Sequence, residues 1–152
     1  MSFVVYVDMV GDLFHAGHVR FLQHARALAE ERADGRDVKL VAGLMGDEAA
    51  GSYKRRPVQP LVERMIVVGA CRYVDEVVGD APMPVDDPFL DAHAIDLVVH
   101  GDDMAEDRLA YWYAAPLARG IFAVVPYTRE IDGAAVSTSE LIRRVGESAE
   151  FQ

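Results

Sequence analysis

The chain alternates between short apolar runs and longer stretches with helical spacing. Phe3 to Val7 is apolar and β-branched, as a strand buried on both faces of a parallel sheet requires. From Gly17 to Arg32 the pattern turns helical, with Phe21, Leu22, Ala25, Leu28 and Ala29 on one side and Asp34-Gly35 as the stop. Val38 to Leu44 is a second strand. A polar loop follows over Gly51 to Pro60, and Leu61 to Cys71 is a helix with Pro60 near its first turn. Tyr73 to Val78 reads as a third strand, Gly79 to Pro88 as a loop, and Phe89 to His93 as a short helix. Ile95 to Val99 is the fourth strand, Ala105 to Ala118 a helix ended by Gly120, and Ile121 to Val125 the fifth strand. A loop to Ala135 leads into a last helix that Ser137 or Thr138 caps. Strands alternating with helices predict an α/β fold: one Rossmann-like, doubly wound domain over residues 1–152 with a five-stranded parallel sheet.

Composition narrows the function. An apolar share of 51% supports a sizeable core, and no apolar run approaches the ~20 residues of a membrane helix. Met1 to Tyr6 has no basic leader and reads as a strand, not a signal peptide. The single cysteine, Cys71, rules out an internal disulfide framework and any cysteine-cluster metal site, which suits a cytoplasmic protein. A formal charge of −10 argues against nucleic-acid partners and anionic membranes. Against that background Lys54-Arg55-Arg56 stands out as a local basic island in a chain with only two lysines. A polyanionic ligand needs such an island.

The candidate chemistry follows the carboxyl ends of the strands, where open α/β sheets bind ligands. Gly11-Asp12-Leu13-Phe14-His15-Ala16-Gly17-His18 joins the first strand to the first helix. A helix start offers free N–H groups and partial positive charge, and two imidazoles there can donate to one anion. The sequence contains neither a Walker loop nor a GxGxxG fingerprint, so in a nucleotide site these histidines take over that role.

His15-Ala16-Gly17-His18 resembles the HxGH signature of the nucleotidyltransferase superfamily, in its cytidylyltransferase branch. Other stretches match in the same order. Lys54 and Arg64 are similar to the branch's lysine and "ER" arginine. Arg72 to Val78 (RYVDEVV) resembles a segment of choline- and ethanolamine-phosphate cytidylyltransferases. His100-Gly101-Asp102-Asp103 is similar to their HGDD, and Val136-Ser137-Thr138-Ser139 to the motif opening their last helix.

The resemblance implies transfer of CMP from CTP, with Mg²⁺ carried on its phosphates, to a small phosphorylated alcohol or phosphonate, releasing pyrophosphate. It makes His15, His18, Lys54 and Arg64 catalytic, the last two also holding the acceptor phosphate. It assigns the nucleotide to Met9, Val10, Gly11, Gly17, His18, His100, Gly101, Asp102, Asp103, Arg129, Val136, Ser137 and Thr138. The acceptor falls to Asp8, Met83, Tyr111 and Tyr113 with Lys54 and Arg64. No metal ligand is assigned to a side chain. A homodimer is implied as well, with Arg72, Tyr73 and Asp75 structural at the subunit contact.

The sequence departs from the family pattern in three places. Met9 stands where the family has a glycine after the aspartate, with Gly11 two residues later. Counting back from Ser137, the family's arginine position holds Asp132 and its glycine position Ala135, while Arg129 and Gly133 lie nearby as though two or three residues were inserted. Met83 stands where choline-phosphate enzymes place a tryptophan, which disfavours a quaternary ammonium. Phosphoethanolamine, glycerol 3-phosphate and 2-hydroxyethylphosphonate stay open as acceptors. Two other functions also stay open: an adenylyltransferase using ATP, and a nucleotide-binding module without catalysis.

Overall fold

A computed structural model describes residues 1–148 and 150. Five strands, β1 (Phe3–Met9), β2 (Val38–Leu44), β3 (Glu76–Gly79), β4 (Leu97–Gly101) and β5 (Phe122–Val125), form one sheet in the order β3-β2-β1-β4-β5. Every pairing in it is parallel. This is the expected α/β, Rossmann-like architecture, and the strand order reverses between β1 and β4.

Period-two alternation along β1 divides the core. Phe3, Val5 and Val7 pack with Phe21, Leu22 and Ala25 of helix α1 (Ala16–Arg32) and Val68 of helix α3 (Leu61–Gly69). Val4 and Tyr6 pack on the opposite face with Phe89 and Leu90 of helix α4 (Asp87–Ala92) and with Tyr113. Truncating Leu22, fully buried in the first cluster, costs about 2–5 kcal/mol.

Several elements differ from the sequence reading, each for a local reason. The polar stretch after β2 opens with a helix, α2 (Asp47–Tyr53); Asp47 and Glu48 in its first turn complement the helix dipole, although Gly51 and Ser52 are weak helix formers. The helix expected over Ala105–Ala118 is two, α5 (Glu106–Trp112) and α6 (Ala114–Ala118), broken at Tyr113. Pro116 has no N–H for the Trp112 carbonyl, which accepts from Val85 instead at 3.1 Å. The third strand is shorter than expected because Asp75 turns its carboxylate onto the Leu40 N–H (2.8 Å) and Arg26 (2.9 Å).

The stretch before the last helix holds a hairpin, β6 (Glu130–Ile131) and β7 (Ala134–Ala135), that the sequence did not reveal. Asp132 and Gly133 both have positive φ, 51° and 78°, as a type I′ turn demands. This turn lies within the stretch that the sequence reading marks as carrying extra residues. The final helix, α7 (Thr138–Glu147), is capped by Ser137, whose Oγ accepts from the Glu140 N–H at 3.0 Å. Among the described residues, no helix is long and apolar enough to cross a membrane.

Candidate active site

A cavity of about 690 Å³ opens at the carboxyl ends of β1 and β4, at the reversal of strand order. Its first wall is the β1–α1 connection. His15 caps α1: its Nδ1 accepts from the Gly17 N–H at 3.0 Å, and the His18 Nδ1 accepts from the His15 N–H at 3.1 Å. The two histidines therefore form a reciprocal capping box, a role usually filled by Ser or Thr and Glu. His18 is sandwiched between His15 and the Phe14 ring, with centroids at 3.9 and 5.3 Å.

This arrangement fixes the protonation state of both rings. Burial, then the neighbouring His15, pushes the His18 pKa down to about 3, and burial lowers that of His15. Both rings are neutral near pH 7. With each Nδ1 accepting a backbone N–H, the single proton sits on Nε2, so each ring turns an N–H donor away from the backbone. The glycine in HxGH has a steric reason: a Cβ at Gly17 would lie 2.8 Å from His15 Cε1.

A second wall is the basic loop between α2 and α3, which brings Lys54, Arg55 and Pro57 to the cavity. Asp12 holds it, accepting from the Val58 N–H (2.8 Å) and the Gln59 N–H (3.0 Å), while Gln59 Oε1 accepts from the Leu13 N–H (2.9 Å). Behind this strap lies Arg64, 0% exposed. Its guanidinium donates to the carbonyls of Gln59 (3.0 Å), Val10 (2.7 Å) and Met45 (2.8 Å) and pairs with Asp47 at 2.6 Å. That corrects the expectation that Arg64 holds the acceptor phosphate. A buried guanidinium must be paired, and here protein acceptors tie together the loops that follow β1 and β2.

The remaining walls come from α7 and the second half of the sheet. Val136, Ser137 and Thr138 line the cavity, and Thr138 Oγ1 donates to the Asp12 carbonyl at 3.1 Å and lies 3.4 Å from His15 Nε2. His100, Gly101 and Asp103 line it from β4. Asp102 does not: its carboxylate accepts from the Tyr127 N–H at 2.9 Å and faces Arg129 at 3.6 Å. Arg129 itself reaches the cavity edge.

Asp8, Met9, Val10 and Gly11 form the floor. Gly11 adopts φ +70°, the left-handed conformation that Met9 at the family's glycine position does not supply. Asp8 is buried, and Oδ1 accepts from Tyr113 Oη at 2.6 Å. Its Oδ2 is buried without a protein partner. Burial raises the Asp8 pKa; the Tyr113 bond and nearby His100 oppose that rise.

Three expected acceptor residues are not at the cavity surface. Tyr113 is fully buried behind Asp8, Tyr111 is 63% exposed on α5, and Met83 is not part of the lining. Tyr53, Met104 and Arg108 occupy that end instead, with the Arg108 guanidinium 5.1 Å from the Tyr53 ring centre. Tyr53 had one sequence signal, its place directly before Lys54. Met104 and Arg108 had none, since their approach depends on how the chain bends between β4 and α5. Among the described residues, no group of three or more His, Cys, Asp or Glu side chains is arranged to hold a metal ion.

A parallel sheet whose switch point carries a helix start, a neutral histidine donor and a basic loop has the arrangement by which Rossmann-like folds can hold phosphate groups. The chain belongs to the cytidylyltransferase-like family, whose model matches residues 11–144. It is 36% identical over 149 residues to ethanolamine-phosphate cytidylyltransferase of Arabidopsis thaliana, with 93% of this chain and 32% of that protein covered. The Mus musculus protein of the same name is 39% identical over 143 residues, covering 91% and 32%. Choline-phosphate cytidylyltransferase A of Homo sapiens is 36% identical over 145 residues, covering 93% and 36%. The chain thus spans about a third of the length of these curated relatives. The solved lipopolysaccharide core biosynthesis protein from Thermoplasma volcanium GSS1 shares the fold, with a TM-score of 0.63 at 19% identity, covering 86% of this chain and 100% of that one.

Proposed function

We propose that the protein transfers CMP from CTP to the phosphate of a small phosphorylated alcohol, releasing pyrophosphate. The observation that carries this reading is the His18 Nε2–H donor at the cavity surface on the first turn of α1, with His15 capping the same turn and its Nε2 lying 3.4 Å from Thr138 Oγ1. An acceptor phosphate oxygen attacks the α-phosphorus, and the bond from that phosphorus to the pyrophosphate oxygen breaks. The attacking group is already an anion, so no general base is required. The protein positions both phosphates and stabilises charge as it moves onto the leaving group. His18 donates to the transferring phosphate, and Lys54 neutralises it and the incoming phosphate. Mg²⁺ enters as part of the substrate, on the CTP phosphates.

The unpartnered Asp8 Oδ2 favours an acceptor with an N–H donor at its far end. An ammonium also restores the carboxylate that burial disfavours. Phosphoethanolamine meets both needs; a quaternary ammonium has no N–H to give. Glycerol 3-phosphate and 2-hydroxyethylphosphonate offer hydroxyl or phosphonate groups and belong in the same test. Pyrophosphate release is measured with CTP or ATP, Mg²⁺ and each acceptor in turn. CTP with phosphoethanolamine is expected to be fastest. Faster turnover with ATP makes the protein an adenylyltransferase, and no release with any pair makes it a binding module.

A homodimer is part of this reading. β3 is a sheet edge, and beside it α3 exposes Val62 (63%) and Ile66 (69%) over an apolar groove of about 460 Å³. A second copy covering that face accounts for apolar side chains left in water. Cytoplasmic location is the companion proposal.

A further inference from the structure

The motif brings the His18 N–H to the cavity but no formal charge. A nucleoside triphosphate keeps net negative charge even with one divalent cation, so lysine and arginine must supply the compensation. Arg64 is buried behind the basic loop and paired with Asp47. Arg129 faces Asp102 at 3.6 Å, and Arg108 lies against Tyr53. Lys54, Arg55 and Arg108 line the cavity with no carboxylate partner among the described residues.

Arg55 has the most defined placement. Its Nη1 donates to Ser139 Oγ at 3.1 Å, in the first turn of α7, and its Nε is buried without a partner. The preceding residue of that turn, Thr138, touches His15 and the Asp12 carbonyl. One helix start thus holds Arg55 and the HxGH connection together. A shielded guanidinium N–H without an acceptor is costly unless an oxygen arrives to take it. The planar fork suits two phosphate oxygens at once, which an ammonium does not.

We propose that Arg55 binds the phosphates beyond the α-phosphate of the bound nucleotide, with Ser139 holding its guanidinium across the cavity beforehand. This rests on the nucleotidyltransferase reading and adds a residue that the family motifs do not include. Arg55 thereby takes the place left by the displaced arginine before α7, where Arg129 is engaged with Asp102.

Calorimetric binding of CTP, CMP and inorganic pyrophosphate to the full chain tests this. Arg55→Gln is expected to weaken CTP and pyrophosphate on the order of tenfold or more, as for loss of a charged hydrogen bond, with CMP changed less than about twofold. Arg55→Lys recovers only part of the loss, and Ser139→Ala gives a smaller one. Equal weakening of CTP and CMP, or no change in either, overturns the proposal. Should the wild type bind ATP and not CTP, the cytidylyl reading fails, and the same ratio of ATP to AMP still decides for or against Arg55. A wild type with no preference for triphosphate over monophosphate overturns it outright.

Discussion

The two ends of the cavity are built differently. At the phosphate end, backbone bonds orient both histidines, Asp12 and Gln59 strap the basic loop to the motif, and Arg64 locks the strand ends together. At the acceptor end, Asp8 has one bond to Tyr113 and a bare oxygen, with Tyr53, Met104 and Arg108 around it. The phosphate end is wired through main chain and tolerates little change. The proposed acceptor end rests on a few side chains, two of which, Asp8 and Tyr113, are themselves buried.

The largest effect belongs to the wired end. His18→Ala is expected to lower kcat by on the order of 10²-fold or more with an unchanged circular dichroism spectrum, as for loss of a transition-state donor. Unchanged turnover would remove His18 from the reaction. Gly17→Ala comes next: the new methyl group presses on the His15 ring, and a fall of roughly tenfold in kcat is expected from the misplaced donor. At the open end, Asp8→Asn should raise KM for phosphoethanolamine about tenfold while CTP affinity stays within about twofold. Parallel loss of both affinities would show that the two ends are not independent.

The smallest effect is a pH dependence of stability. His18 has its folded pKa lowered to about 3, below the ordinary value of about 6.5. Its contribution is full above pH 6.5 and is lost as pH falls toward 3, because only the unfolded chain takes up the proton readily. Urea unfolding at pH 7 and pH 5 should therefore show a steeper acid loss for wild type than for His18→Gln. Equal slopes would mean that the ring is not held neutral.

Sequence and structure agree best where a pattern is local and periodic. The five strands of the sheet, in outline, and the first helix could be read from spacing, which left the last cap to Ser137 or Thr138. Arg64 could not be placed, because its sequence shows a cation and only the packing of strand-end carbonyls shows that it is consumed. The Asp132-Gly133 turn is a recognisable type I′ signal, but Glu130–Ile131 and Ala134–Ala135 are too short to announce strands. Tyr111 and Tyr113 are two residues apart and so on opposite sides of the turn that ends α5, one exposed and the other buried, and the helix breaks there before α6. That break depends on Pro116 and on a carbonyl claimed by Val85.

The central claim is that the acceptor's own phosphate oxygen attacks the α-phosphorus of CTP in this cavity. Phosphoethanolamine labelled with ¹⁸O on its phosphate, incubated with CTP, Mg²⁺ and the protein, tests it by ³¹P NMR. The account predicts two coupled diphosphate signals, both carrying the isotope shift of an ¹⁸O bridge, with unlabelled pyrophosphate released. A product without label in the bridge, or CTP consumed only to CDP and inorganic phosphate, would contradict it.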